Sequence, residues 1–206
     1  PLFKKYNQHI TSPAINLIKK NLNTEINDVP EIQIDDNTLN STISKFNIKN
    51  NELNILLAIG GSGPTKRIPP KTFLSVMEKI NQIKMCKFFL ATGKNEEEQK
   101  ILNEIMKSKL RDKCIPLDNF TIAETLPIIK CCDVSICNDT GFGHLSSALG
   151  IKTITLIAET PLIYGSYSPN MYPIIPDGET TVGHNTLGKD KINSDKIYKQ
   201  LISIIN

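Results

Sequence analysis

The stretch "CNDTGFGHLSSALG", residues 137–150, decides how this chain folds. A short apolar run, Val134 to Cys137, leads into it. An acid, a hydroxyl, two glycines and a histidine then fall within six residues, as Asp139, Thr140, Gly141, Gly143 and His144. Packing alone does not ask for that mixture. An apolar strand that ends in such a turn and passes into a helix of small residues is one βα unit of a parallel sheet. The start of that helix presents free N–H groups and favours an anion. Asp139 and Thr140 read as a helix cap, and Thr140, Gly141 and His144 read equally as a surface facing a diphosphate. The bland alternative for His144 is a core histidine bonded to backbone.

Working outward, the same unit repeats from residue 51 to the end. "LNILLAIG" (53–60) is a strand buried on both faces, since it is apolar at nearly every position and stops at glycine. "PKTFLSVMEKINQI" (70–83) has Phe73, Val76, Met77 and Ile80 at helical spacing. Strand "KFFLATG" (87–93) precedes an amphipathic helix over 95–110, whose first turn is acidic. A short strand over 113–118 leads to a helix over 122–130 capped by Thr121. "DVSIC" (133–137) is the fourth strand, a short helix spans about 143–149, and "KTITLIA" (152–158) is the fifth strand. A late strand over 171–175 and a last helix over 195–205, capped by Ser194, complete the pattern. The fold class is α/β, a Rossmann-like parallel sheet flanked by helices on both faces. Residues 1–50 lack this repeat. Helices are expected over 12–22 and within 35–48, and the region reads as a linker or the remnant of another domain.

In such sheets ligands sit outside the carboxyl ends of the strands, and the unusual residues of this chain cluster there. "GGSGPTKR" follows the first strand. Its glycines admit a ligand close to the backbone, Ser62 and Thr65 donate to phosphate oxygens, and Lys66 or Arg67 neutralises them. It is neither a P-loop nor the G-x-G-x-x-G fingerprint, and a flexible loop with solvated cations is the competing reading. "TGKNEEE" follows the second strand and offers an acid for the hydroxyls of a ribose, or merely a solvated first turn. "AETPLIYG" follows the fifth, where Glu159, Thr160 and Tyr164 are candidates for contact with a sugar.

Composition narrows the classes. The chain has 206 residues, 39% hydrophobic and 22% charged, which suits one soluble domain with an appendage. Net charge is +3, and Arg67 and Arg111 are the only arginines among 24 basic residues, so nucleic acid is not the expected partner. Five cysteines show no C-x-x-C spacing and read as buried reduced thiols of a cytoplasmic protein. No apolar run reaches the length of a membrane span. His9 and His184 lie far from His144 in sequence, so no metal is expected. The chain starts at Pro1 rather than Met, so a piece of a longer protein is the expectation.

Taken together, the four loops resemble those of the heptosyltransferase family, glycosyltransferase family 9, over roughly residues 50–206. "DTGFGHLSSALG" resembles the family's Asp-[Ser/Thr]-Gly-x-x-His turn and its helix ending Ala-Leu-Gly. "GGSGPTKRIPP", "GKNEEE" and "AETP" resemble its other motifs in order and spacing. Ile68, Phe142 and Ala158 stand where the family usually has Trp, Pro and Gly.

The resemblance implies half of a GT-B architecture: residues 51–206 as the nucleotide-sugar (donor) domain, and 1–50 as the end of an acceptor domain. It implies an inverting glycosyltransferase that moves a sugar, typically from ADP-heptose, to a cell-envelope or lipopolysaccharide-type saccharide acceptor. Such an enzyme works in the cytoplasm, peripheral to the inner membrane through the missing domain, and needs no cofactor beyond the nucleotide-diphosphate sugar. By position, Ser62 and Lys66 would contact the donor phosphates, Glu97 the ribose and Phe120 the base, with Thr65 counted among the donor-binding residues from the loop itself. Asp139, Thr140, Gly141 and His144 would line the diphosphate and sugar end. The family's general base is a carboxylate of the other domain, so no catalytic residue is assigned here. The alternative function is a non-catalytic or degenerate nucleotide-sugar binding module.

Overall fold

The run "LNILLA" organises the molecule, because its side chains are buried at every position on both faces of one strand. In the computed structural model, which describes residues 12–26 and 29–206, this strand is β1 (Leu53–Ala58). The other strands are β2 (Cys86–Ala91), β3 (Cys114–Pro116), β4 (Val134–Asn138), β5 (Lys152–Leu156) and β6 (Met171–Ile174). All six are parallel, in the order β3-β2-β1-β4-β5-β6. Ile55 pairs with Phe88 on one side and Val134 on the other. The helices are α1 (Ser12–Leu22), α2 (Asp36–Phe46), α3 (Pro70–Asn81), α4 (Glu96–Met106), α5 (Ile122–Lys130), α6 (Gly141–Ala148) and α7 (Ser194–Ile205).

Alternation along β1 divides the core in two. Ile55 and Leu57 face a layer built from Phe73, Met77 and Ile80 of α3, Ile105 of α4 and Leu201 of α7. Leu56 and Ala58 face the other way, with Phe89, Cys137 and the Ile128–Ile129 pair of α5. Helices therefore cover both faces, as a fully parallel sheet requires. The segment before residue 50 is not all alike. Ile32, Ile34, Phe46 and Ile48 pack onto the second layer, and the Ile32 amide donates to the Ala148 carbonyl at 2.8 Å. Helix α1, by contrast, buries no residue. His9 lies outside the described residues.

Local chemistry sets the helix ends. Thr121 and Glu124 close a reciprocal capping box at α5, as the sequence indicates. Asp35 caps α2 and Asn95 caps α4. Two expectations are corrected. Helix α7 is capped by Asn193, whose side chain accepts from the Asp195 amide at 2.8 Å, while the Ser194 hydroxyl meets Ser75 at 3.1 Å. Helix α6 starts at Gly141, two residues ahead of the expected Gly143, so the glycine turn is itself the helix start. Among the described residues, no helix is long and apolar enough to cross a membrane.

The strand order reverses between β1 and β4, and a doubly wound sheet opens its crevice at that point. Asn138 ends β4 there and is fully buried. Its side-chain amide donates to the Ile59 carbonyl at 2.9 Å and the Gly60 carbonyl at 3.0 Å, tying the floors of two loops together. Asn138→Ala leaves two buried carbonyls without this donor. The expected cost is about 1–3 kcal/mol of unfolding free energy, read from urea denaturation with an unchanged m-value.

Candidate functional site

Two carboxylates, one buried and one half-buried, join the loops at the carboxyl ends of the strands. The first is Glu98, in the opening turn of α4. One of its oxygens accepts the Gly61 amide at 2.7 Å, and the other accepts the side-chain amide of Asn95. A Cβ on either Gly60 or Gly93 would overlap this carboxylate. Glycine at both positions is thus the space the carboxylate occupies. The loops after β1 and β2 are closed on one anion.

The second is Asp139, just past β4. The Lys66 ammonium stands 2.6 Å from its Oδ2, and the Thr160 hydroxyl donates to the same oxygen at 2.8 Å. The loops after β1, β4 and β5 meet on this atom. Asp139 is 10% exposed and Lys66 24%, so the pair is only partly open to water. Arg67, the next residue, turns the other way and donates from Nε to the Gly61 carbonyl at 2.9 Å.

Because Asp139 is engaged with Lys66 and Thr160, it does not cap α6. Thr140 occupies the capping position but its side chain makes no capping bond. Its hydroxyl is buried and has no hydrogen-bond partner. A helix start left open beside an unpartnered hydroxyl is a place for an acceptor-rich anion. It opens into a cavity of about 600 Å³ between the loops after β1, β2, β3 and β4. Gly61, Ser62 and Arg67 form one side, Asn95 and Glu98 another, and Phe120, Ile122, Phe142 and Leu145 supply an apolar wall. Lys45 of α2 stacks on the Phe120 ring from outside at 5.4 Å, and Phe46 meets Phe120 at 5.7 Å. A groove of about 700 Å³ lies at the opposite, amino ends of the strands, beside Leu53, Asp133 and Lys152, and lacks any glycine loop followed by a helix start.

His144, on the first turn of α6, approaches Tyr167 through Nδ1 at 2.8 Å, with the rings stacked 5.5 Å apart. Burial holds its imidazole below the usual histidine value, against an upward pull from Asp139. The cysteines are free thiols, and burial pushes Cys137 up to about 12, which removes it as a nucleophile near neutral pH.

Comparison with known proteins gives this arrangement a lineage. The chain matches the family described as Glycosyltransferase family 9 (heptosyltransferase) over residues 2–198. It belongs to that family. Lipopolysaccharide heptosyltransferase 1 of Campylobacter coli is 30% identical over 149 residues, which is 70% of this chain and 43% of that protein. Lipooligosaccharide heptosyltransferase 2 of Haemophilus influenzae is 25% identical over 121 residues, 58% of this chain and 33% of that protein. The chain thus spans less than half the length of these curated relatives. The fold is shared with E. coli heptosyltransferase WaaC solved with ADP, at TM-score 0.73, 14% identity and 97% of this chain over 58% of that one. It is also shared with the family 9 glycosyl transferase of Veillonella parvula, at TM-score 0.78 and 17% identity, with all of this chain laid on 62% of the other.

Within this glycosyltransferase family 9 chain, the expected site residues fall into two groups. Ser62, Phe120, Thr140 and Gly141 line the cavity. Lys66 and Asp139 pair with each other, and Asp139 also holds Thr160. Thr65 is not among the residues that line the cavity, and His144 is bonded to Tyr167. Glu97 faces solvent and pairs with Lys100 at 2.7 Å, while Glu98, one residue on, reaches the cavity. The sequence held a signal for that choice. Asn95 and Glu98 have capping-box spacing, which directs the side chain of the fourth residue inward to the cap. Of the two cations in this loop, Lys66 and Arg67, it is Arg67 that lines the cavity. Of the departures from the family pattern, Ile68 and Ala158 are buried, and Phe142 forms part of the apolar wall.

Glu98→Gln keeps the shape but turns one acceptor into a donor, leaving either the Gly61 amide or the Asn95 amide facing an NH₂. The expected loss is about 1–3 kcal/mol of stability. Glu97→Gln, at the neighbouring exposed position, is expected to leave the unfolding midpoint unchanged. Denaturant unfolding of the two variants side by side checks the assignment.

Proposed function

We propose that this chain is the donor-binding half of an inverting glycosyltransferase. The whole enzyme moves a sugar from a nucleotide diphosphate, with an ADP-sugar favoured, onto a saccharide or glycolipid acceptor of the lipopolysaccharide type. The observation that carries this reading is the uncapped start of α6, where Thr140 and Gly141 line the cavity and the buried Thr140 hydroxyl has no partner. A pyrophosphate there would take hydrogen bonds from the backbone N–H groups and from Thr140. The apolar wall around Phe120 and Phe142 suits a purine base, and the polar side, with Asn95, suits a ribose. The relatives named lipopolysaccharide heptosyltransferase and the solved WaaC complexes with ADP and an ADP-heptose analogue support the choice of donor.

The chemistry assigned to these residues is electrostatic. Cleavage of the sugar–phosphate bond builds negative charge on the departing nucleotide diphosphate. Fixed N–H donors and a nearby cation stabilise that charge without reorganising. Two cations are at hand: Lys66, held by Asp139, which in turn accepts from Thr160, and Arg67, which lines the cavity. The acceptor hydroxyl needs a carboxylate base, which this reading leaves to the acceptor domain together with contact to the inner membrane surface.

Lys66→Ala is expected to weaken ADP binding by about 1–3 kcal/mol, the range for a charge-assisted hydrogen bond. Titration calorimetry on the chain measures this. An unchanged affinity removes Lys66 from the site, and a wild-type chain that ignores ADP removes the donor reading.

A further inference from the structure

Tyr167 is not among the residues that the sequence singles out, yet its hydroxyl makes a close side-chain contact with His144. The segment that carries it is firmly seated. Thr155 of β5 donates to the Gly165 carbonyl at 2.8 Å, and Ser166 donates to the Leu162 carbonyl at 2.9 Å. Just beyond, the Asn170 side chain donates to the Ser147 carbonyl of α6 at 3.2 Å. The tyrosine is therefore tied to the strand on one side and to the helix of His144 on the other. Its ring lies nearly parallel to the imidazole, at 19°.

In a neutral histidine one ring nitrogen carries the proton and the other accepts, and the partner of one nitrogen decides the state of the other. Burial keeps the imidazole below its usual value and the phenol above its own, so near neutral pH the ring is neutral and the phenol protonated. Among the described residues, the phenol oxygen has no hydrogen-bond partner other than Nδ1. A phenol that donates its proton to Nδ1 leaves the ring's own proton on Nε2. Asp139 and Lys66 are the charged groups that act on this ring, with opposite signs.

We propose that Tyr167 is a positioning residue that fixes His144 as its Nε2–H tautomer, making the histidine a neutral hydrogen-bond donor to the sugar–phosphate end of the bound donor. This rests on the donor-site reading above. The alternative tautomer would turn a lone pair toward an anion. The tyrosine thus serves the ligand without touching it.

The test is the ¹⁵N spectrum of the histidine imidazoles in the unliganded chain, with His144 assigned by its loss in His144→Gln. An unprotonated Nδ1 and a protonated Nε2 are expected in the wild type. Tyr167→Phe keeps the stacked ring and removes only the hydroxyl. It is expected to give a mixture of tautomers, an unchanged melting profile and an ADP affinity lower by about two- to tenfold, as for one neutral hydrogen bond. A wild-type spectrum with the proton on Nδ1 overturns the proposal, and so does an unchanged tautomer in Tyr167→Phe. Equal ADP affinity despite a changed tautomer overturns the positioning role. The wild-type spectrum alone still decides if the variant does not fold. A wild-type chain that fails to bind ADP overturns the donor-site reading instead, and the unliganded spectrum still decides whether Tyr167 sets the tautomer.

Discussion

The carboxylate of Glu98 is the constraint on which the rim of the sheet depends. A parallel sheet satisfies its backbone within the strands and leaves the loops beyond their ends to find partners. Here one buried anion takes the Gly61 amide and the Asn95 side chain, in a space that exists because residues 60 and 93 have no side chain. A carboxylate out of water is tolerated only when its acceptors are used. Both oxygens of Glu98 are engaged, so the first two loops have one compatible arrangement. Asp139 extends the same logic to the loops after β4 and β5 through Lys66 and Thr160. Two carboxylates therefore hold four loops, and three of these, after β1, β2 and β4, bound the cavity together with the loop after β3.

That arrangement also explains why the start of α6 is open. Had Asp139 or Thr140 capped it, the first amides of the helix would be consumed internally. Asp139 is drawn instead to the lysine, and the Thr140 hydroxyl is left buried without a partner. A buried polar atom without a partner costs on the order of 1–3 kcal/mol. Such a cost persists where a ligand supplies the missing bond, and it is concentrated at the point where the strand order reverses.

Much of this was legible in the sequence. Short continuous apolar runs located the six strands, helical spacing located the helices that follow them, and Thr121 marked the start of α5 to the residue. The strand-end loops were identifiable because glycines and charges interrupt apolar runs only there. What could not be read was direction. Glu96, Glu97 and Glu98 share one helical turn, and only their rotation about α4 separates a solvated acid from a buried one. Asn193 and Ser194 are both competent caps, and contact of Ser194 with Ser75 on α3 decides between them. Tyr167 lies in a turn-rich stretch with no periodicity, so its approach to His144 exists only in three dimensions. Residues 29–50 look like a connector in sequence because their contacts with the sheet domain are long-range.

The central claim is that the two carboxylate-braced sets of loops enclose a seat for a nucleotide diphosphate at the start of α6. A crystal structure of the chain soaked with ADP tests it most directly. The account predicts a pyrophosphate within hydrogen-bond distance of the Thr140 hydroxyl and the Gly141 and Phe142 amides, with the base against Phe120. ADP bound instead in the groove at the amino ends of the strands, beside Asp133 and Lys152, would contradict it.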